Sequence, residues 1–170
     1  VSPEAVAAAI AARVVRRPVK IAMTRQQVFE TTGRRAETWQ RIRLGSDRDG
    51  RLTAVSHEVI TSQLDREIFF EPAPIATRFL YSGDHRLTDH KVVRLNKVLS
   101  VSMRAPGEAV GQFALECAMD ELAEKLGMDP VELRIKNEPS QHPETGASHS
   151  SRSLRECLNV GAERFGWHAR

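Results

Sequence analysis

Cysteine is scarce: the 170 residues contain only Cys117 and Cys157. Two thiols so far apart set up no disulfide framework, and without a C-x-x-C pair a zinc ribbon is not expected. No apolar run approaches the roughly 20 residues that span a bilayer. The N-terminus has neither the charged start nor the apolar segment of a signal peptide. A nucleophile elbow, a phosphate-binding P-loop and a dinucleotide fingerprint are all missing, as is any internal repeat. A concentration of one charge is missing too. Lys and Arg number 25 against 22 Asp and Glu, and the short runs Arg16-Arg17 and Arg34-Arg35 are scattered rather than gathered into a patch, which argues against nucleic acid as a partner. The chain has no initial methionine and enters a helical pattern almost at once, as expected of a piece of a longer protein.

What is present suffices for one domain, since 41% of the residues are hydrophobic. Ser2-Pro3-Glu4 reads as a helix start, with serine as cap and proline first. Val6, Ile10 and Val14 carry that helix to about Arg16, before Pro18. Val19, Ile21 and Met23 alternate as a short strand would. Thr24 and Gln27 form a capping-box pattern for a short helix ending near Gly33. Residues 38–61 read as a hairpin turning at Asp49-Gly50. A short helix is expected within 72–82, and Val92, Val93, Leu95 and Val98 predict another strand. After Gly107 comes the clearest helix, with Val110, Phe113, Ala114, Cys117, Ala118, Leu122 and Leu126 on one face, ending at Gly127. Asp129-Pro130-Val131-Glu132 opens the next helix with cap, proline and capping-box glutamate. Residues 138–151 read as a polar internal loop, and Ser153 with Glu156 begins a last helix bearing Leu154, Cys157, Leu158 and Phe165. Mixed helices and strands with a hairpin define an α+β (mixed α/β) fold, a mixed or antiparallel sheet with packed helices. Residues 1–170 are expected to form a single partial domain.

The most unusual segment is Met103-Arg104-Ala105-Pro106-Gly107-Glu108, where a turn runs into a long helix. A helix start offers unpaired N–H groups and a positive dipole end, and an arginine adds a planar donor. Such a junction suits an anionic or oxo ligand, although a plain turn into a helix is the simpler account of the residues alone. Asp47-Arg48-Asp49-Gly50 resembles part of a calcium loop, with Glu58 at the twelfth position. Arg51 at the fifth position and an early glycine favour a hairpin turn instead. His85 and His90, five apart on one strand, face opposite ways and share no metal. His142 and His149 are expected to be solvated, Cys117 and Cys157 to be buried inert thiols, and Glu116, Asp120, Glu121 and Glu124 to form a solvated helix side.

Several runs carry a family resemblance. Met103-Arg104-Ala105-Pro106-Gly107-Glu108-Ala109 with Gly111, then Ala114 to Ala123, then Leu126 to Asn137, resemble the molybdenum-cofactor-binding large subunit of xanthine dehydrogenases and aldehyde oxidases. Arg17 to Lys20, Thr24-Arg25, Gln40 to Gly45, Asp47 to Gly50, Ser150 to Arg152, Glu156-Cys157 and Phe165-Gly166-Trp167 extend it over nearly the whole chain. The alanine-proline form of the loop looks most like bacterial three-subunit aldehyde oxidoreductases. The resemblance implies the first molybdenum-cofactor-binding domain of the large subunit, and a molybdopterin cofactor, in bacteria often the cytosine dinucleotide. The reaction implied is oxidation of an aldehyde or N-heterocycle with oxygen taken from water. Electrons would leave through iron–sulfur clusters to FAD on partner domains or subunits. By resemblance Arg104, Ala105 and Gly107 bind the cofactor, with the Arg104 backbone amide near molybdenum. Pro106 lines the substrate pocket where eukaryotic xanthine oxidases carry an aromatic, which tilts the substrate toward aldehydes. The glycine-phenylalanine-glycine cofactor loop and the catalytic glutamate would fall before Val1 and after Arg170, so the 170 residues alone are expected to be inactive. The competing reading is a non-enzymatic protein-interaction module.

Overall fold

A computed structural model describes residues 2–169. The chain divides into two compact units. One comprises the residues to Glu37 with Thr61–Glu71 and Val92–Met103, and the other Thr38–Ile60, Pro72–Lys91 and the residues from Arg104 onward.

In the first unit, α1 (Pro3–Val15) begins with proline in its first turn and ends on left-handed Arg16. Ser2 makes no side-chain cap to the helix backbone. The apolar positions Val6, Ile10 and Val14 are all exposed. The alternation at Val19, Ile21 and Met23 does not form the expected strand; alternation alone makes no strand without a ladder to satisfy its amides. α2 (Arg25–Thr31) carries the expected capping box in full: Gln27 N donates to Thr24 Oγ1 (3.3 Å), and Thr24 N to Gln27 Oε1 (2.9 Å). The interior of this unit is mostly polar. Thr61, Ser62, Gln63, Glu71 and Ser100 are buried. Arg35 Nη1 donates to Glu71 Oε1 at 2.7 Å, and Arg34 pairs with Ser100 in a parallel bridge.

The second unit holds the apolar core. β1 (Thr38–Ser46) and β2 (Leu52–Gln63) form the expected hairpin, and β3 (His85–Arg94) completes a sheet of order β1-β2-β3. Asp47 closes the turn by accepting the Arg51 amide on Oδ1 (2.8 Å), and Gly50 takes φ 81°, which glycine adopts without strain. So the aspartates make a hairpin, as their spacing predicted. β3 includes Val92 and Val93 but stops before Leu95 and Val98.

A 3₁₀ turn at Ala73–Arg78 stands where a short helix is expected. α3 (Glu108–Leu126) and α4 (Pro130–Lys136) pack together, with α3 also on β1 and the 3₁₀ turn, and α5 (Leu154–Phe165) packs on α4. Leu52, Val55, Tyr81, Leu115, Met119, Ala123 and Leu133 form the core cluster.

The inward face of α3 departs from expectation. Gly111, Leu115, Met119 and Ala123 are buried, whereas Phe113 is 73% exposed. Both faces repeat every three or four residues, and α3 is apolar on more than one side, so periodicity alone does not choose between them. With the helix turned this way, Cys117 is exposed rather than buried, and so is Cys157 on α5. Glu116 is also not a solvated charge: it accepts from Tyr81 Oη (2.7 Å) and Arg134 Nε (2.6 Å), and Arg134 also reaches Asp120 (2.8 Å).

The α3–α4 junction follows its sequence closely. Gly127 ends α3 in the left-handed region. Asp129 then caps α4, accepting from Val131 N (2.8 Å) and Glu132 N (3.1 Å), while its other oxygen takes the Trp167 indole N–H (2.6 Å). Asn137 ties α4 to the hairpin, donating to Gly50 O and accepting from Leu52 N, both at 2.8 Å. The polar 138–151 segment contains no helix or strand, only the isolated Gln141–Ser148 bridge. Its histidines are half-buried rather than solvated: His142 Nδ1 accepts two backbone amides, and His149 Nε2 is shut off from solvent.

Candidate functional site

The four singled-out residues form one exposed turn at the head of α3. Arg104 and Ala105 are exposed, Pro106 is half-buried and Gly107 is buried. Two features fix this turn. Ala105 has φ 55°, a left-handed conformation unusual for alanine. Gly107 has φ 83°, and a Cβ there would sit 2.4 Å from the Pro72 carbonyl oxygen. One turn later, a Cβ on Gly111 would lie 1.7 Å from the Ala73 carbonyl oxygen. Both glycines are therefore required for α3 to lie this close to residues 72–73. The backbone bonds Ala105 O···H–N Ala109 (3.1 Å) and Gly107 O···H–N Gly111 (2.8 Å) carry the turn into the helix.

A rigid, exposed backbone at the positive end of a 19-residue helix, beside a guanidinium, suits an anionic or oxo-bearing group. Glu108 Oε2 is buried without a hydrogen-bond partner among the described residues. It adds an acceptor matched to an N–H donor such as those of a pterin ring. The residues therefore fit a molybdopterin. Among the described residues no cluster of His, Cys, Asp or Glu could hold a bare metal ion.

Behind the turn lies a buried polar group that spacing did not single out. His57 is fully buried on β2, between the core positions Val55 and Val59. Its ring nitrogens lie 2.7 Å from Thr77 Oγ1 and 2.9 Å from Gln40 Oε1. Gln40 Nε2 donates to Thr38 Oγ1 (2.9 Å) and to the Val110 carbonyl of α3 (3.2 Å). Burial, helped by His90, lowers the His57 pKa to about 4. The available signal was the two-residue alternation Val55, His57, Val59, which puts the histidine on the inward face.

A second polar group braces α3 against α4. Burial opposes the charge on Arg134, but Glu116, Tyr81 and Asp120 together outweigh it and hold the guanidinium pKa above its ordinary value. Burial and the Glu116 carboxylate push the Tyr81 hydroxyl well above the usual phenol range. These groups are structural: each is satisfied within the fold.

The architecture, a three-stranded sheet with packed helices and a glycine-anchored turn leading into α3, is that of a mixed α/β domain. Its relatives specify which. Residues 1–138 match the molybdopterin cofactor-binding domain family, and the chain belongs to that family. It is 44% identical over 168 residues to the aldehyde oxidoreductase molybdenum-binding subunit PaoC of Escherichia coli K12, covering 98% of this chain and 23% of the relative. The structure superposes on the aldehyde oxidoreductase of Desulfovibrio gigas with a TM-score of 0.81 at 29% identity, over 98% of this chain and 19% of the other. Quinoline 2-oxidoreductase of Pseudomonas putida 86 shares the fold, with a TM-score of 0.83 at 24% identity over 98% of this chain and 23% of that one. The chain thus spans less than a quarter of the length of each of these proteins.

Proposed function

We propose that the chain forms one wall of the molybdenum site in a hydroxylase that oxidises aldehydes with oxygen taken from water. The supporting observation is the Arg104–Gly107 turn, rigidly set at the head of α3, within a chain 44% identical to an aldehyde oxidoreductase molybdenum-binding subunit. Arg104, Ala105 and Gly107 bind the cofactor. The backbone amide of Arg104 would lie on the molybdenum side of the bound cofactor, and Pro106 would present a small apolar surface to substrate. When bound, the cofactor supplies the redox centre at which substrate is oxidised. The residues of this chain orient it: the turn presents a fixed backbone, the head of α3 offers positive potential, and Pro106 excludes water from one side. The remaining walls, including the general base, belong to the rest of the subunit. The cofactor is the cytosine dinucleotide form, and electrons leave through iron–sulfur and FAD partners.

The test uses the full-length subunit purified with its partners. Metal analysis is expected to find molybdenum, and dye-linked assays to show faster turnover of aldehydes than of N-heterocycles. A complex without molybdenum overturns the reading, and preference for N-heterocycles overturns the substrate class. The 170 residues alone are expected to retain no molybdenum, because a site of this kind needs its whole shell. Stoichiometric metal in that piece would refute the one-wall assignment.

A further inference from the structure

The buried group behind the turn has a fixed direction. Val110 O can only accept a hydrogen bond, so the Gln40 amide must point its NH₂ toward α3 and its oxygen toward His57. The ring nitrogen facing that oxygen, Nε2, must then carry a proton. Nδ1, lacking one in the neutral ring, accepts from the Thr77 hydroxyl at 2.7 Å. The chain of bonds therefore runs Thr77 Oγ1–H to His57 Nδ1, His57 Nε2–H to Gln40 Oε1, and Gln40 Nε2–H to Val110 O. Every donor in it has one acceptor.

The two ends of this chain meet the candidate site. Val110 lies between Gly107 and Gly111, the two residues whose missing side chains let α3 rest on Pro72 and Ala73. Thr77 sits on the 3₁₀ turn Ala73–Arg78 that begins under those same glycines, and Arg86 anchors that turn from β3 by donating to the Thr77 carbonyl. One end thus holds the first turn of α3, and the other holds the surface on which it rests.

We propose that His57 is a positioning residue for the Arg104–Gly107 turn, acting through Gln40 on the Val110 carbonyl and through Thr77 on the 3₁₀ turn. The inference rests on the reading of that turn as a cofactor wall. His57 touches no substrate or cofactor; it fixes where the head of α3 stands. A shift of about 1 Å in such a positioning element can lower turnover by up to about a hundredfold.

The experiment uses the full-length subunit with its partners and three variants. Gln40→Glu keeps an acceptor for the imidazole N–H but sets a carboxylate oxygen against the Val110 carbonyl. Thr77→Val removes the hydroxyl in nearly the same shape, and Thr77→Ser restores it. Molybdenum per subunit is measured after extended gel filtration, and kcat and KM for an aldehyde are then compared at equal molybdenum content. Gln40→Glu is expected to lower molybdenum retention and to reduce kcat by roughly tenfold or more, with KM changed less than kcat. Thr77→Val is expected to shift both in the same direction, and Thr77→Ser to stay within about twofold of the parent. If parent-like molybdenum and kcat are found in both Gln40→Glu and Thr77→Val, the inference is wrong while the cofactor reading stands. An equal loss in Thr77→Ser and Thr77→Val also overturns it, since the hydroxyl would not be responsible. Should Gln40→Glu fail to fold, the Thr77 pair decides alone. A parent complex that contains no molybdenum removes the cofactor reading itself.

Discussion

Acid should unfold this protein partly through one histidine. His57 is fully buried and neutral, with both ring nitrogens in hydrogen bonds. Its pKa in the fold is about 4, against 6.5 when unperturbed, because burial disfavours the imidazolium and His90 on β3 adds repulsion. Gln40 on β1 and Thr77 on the 3₁₀ turn contribute only neutral dipoles. The folded pKa lies below the unfolded one, so between these values the unfolded chain binds more protons. The stabilisation is therefore complete above about pH 6.5, falls as the pH drops, and is exhausted near pH 4. With each pKa unit worth about 1.4 kcal/mol, roughly 2 kcal/mol is lost by pH 5 and about 3 kcal/mol by pH 4. His90, whose pKa burial also lowers, acts in the same direction, and carboxylates add their own slope at the acid end. A difference measurement removes most of both. Urea unfolding of the parent and of His57→Gln at pH 7.5, 6.0 and 5.0 gives the stability gap between them. That gap is expected to shrink by about 2 kcal/mol from pH 7.5 to 5.0. A gap that stays constant over this range would refute the buried, neutral assignment.

Four further outcomes are expected. Asp129→Ala removes the acceptor for two α4 amides and the Trp167 indole; it should destabilise by roughly 1–2 kcal/mol in thermal melts and leave turnover per folded full-length subunit nearly unchanged. Gly111→Ala should cost more than about 2 kcal/mol in urea unfolding despite alanine's better helix propensity, because its Cβ would lie 1.7 Å from the Ala73 oxygen. Gly161→Ala on α5 meets nothing within 4 Å and should instead stabilise by about 0.5–1 kcal/mol. In the full-length enzyme at equal molybdenum loading, Arg104→Pro should impair turnover more than Arg104→Ala, since proline removes the backbone donor; full turnover in the proline variant with a dead alanine variant would assign the role to the guanidinium.

Local chemistry made much of this fold legible. The capping box at Thr24 and Gln27, the Asp47–Gly50 hairpin turn and the Asp129-Pro130 helix start each depend on residues within four positions of one another, and each stands where the sequence puts it. What failed to read depends on distant partners. Val19, Ile21 and Met23 alternate correctly yet form no strand. The inward face of α3 is set by where β1 and the 3₁₀ turn lie, and Leu115 and Met119 won it over Phe113 and Cys117. Glu116 looked like a solvated charge because its partners, Tyr81 and Arg134, are 35 and 18 residues away. The candidate turn was visible as residues but not as geometry: its spacing announces a helix start, whereas its rigidity comes from Pro72 and Ala73, more than thirty residues upstream.

The backbone at Ala105 shows how firmly the turn is held. Among the described residues, three that are not glycine take positive φ: Arg16, Arg66 and Ala105. Arg16 needs no special account, because a left-handed residue commonly closes a helix. Ala105 precedes a helix instead of ending one, and alanine lacks the polar side chain that lets asparagine or aspartate hydrogen-bond locally in that region. Holding it there costs on the order of 1–2 kcal/mol, which the packing of α3 on the 3₁₀ turn must offset. A glycine at this position would adopt the same φ without that cost. The strain at the helix head is over-determined by its surroundings: the glycine-tight contacts with Pro72 and Ala73 and the backbone bonds that carry the turn into α3. The same argument explains why the supports behind the turn are a fully bonded polar chain and two backbone contacts that admit no side chain. A turn braced only by apolar side chains could relax by a fraction of an ångström and lose its strain, whereas hydrogen bonds of fixed direction and glycine-tight contacts leave it little room to do so.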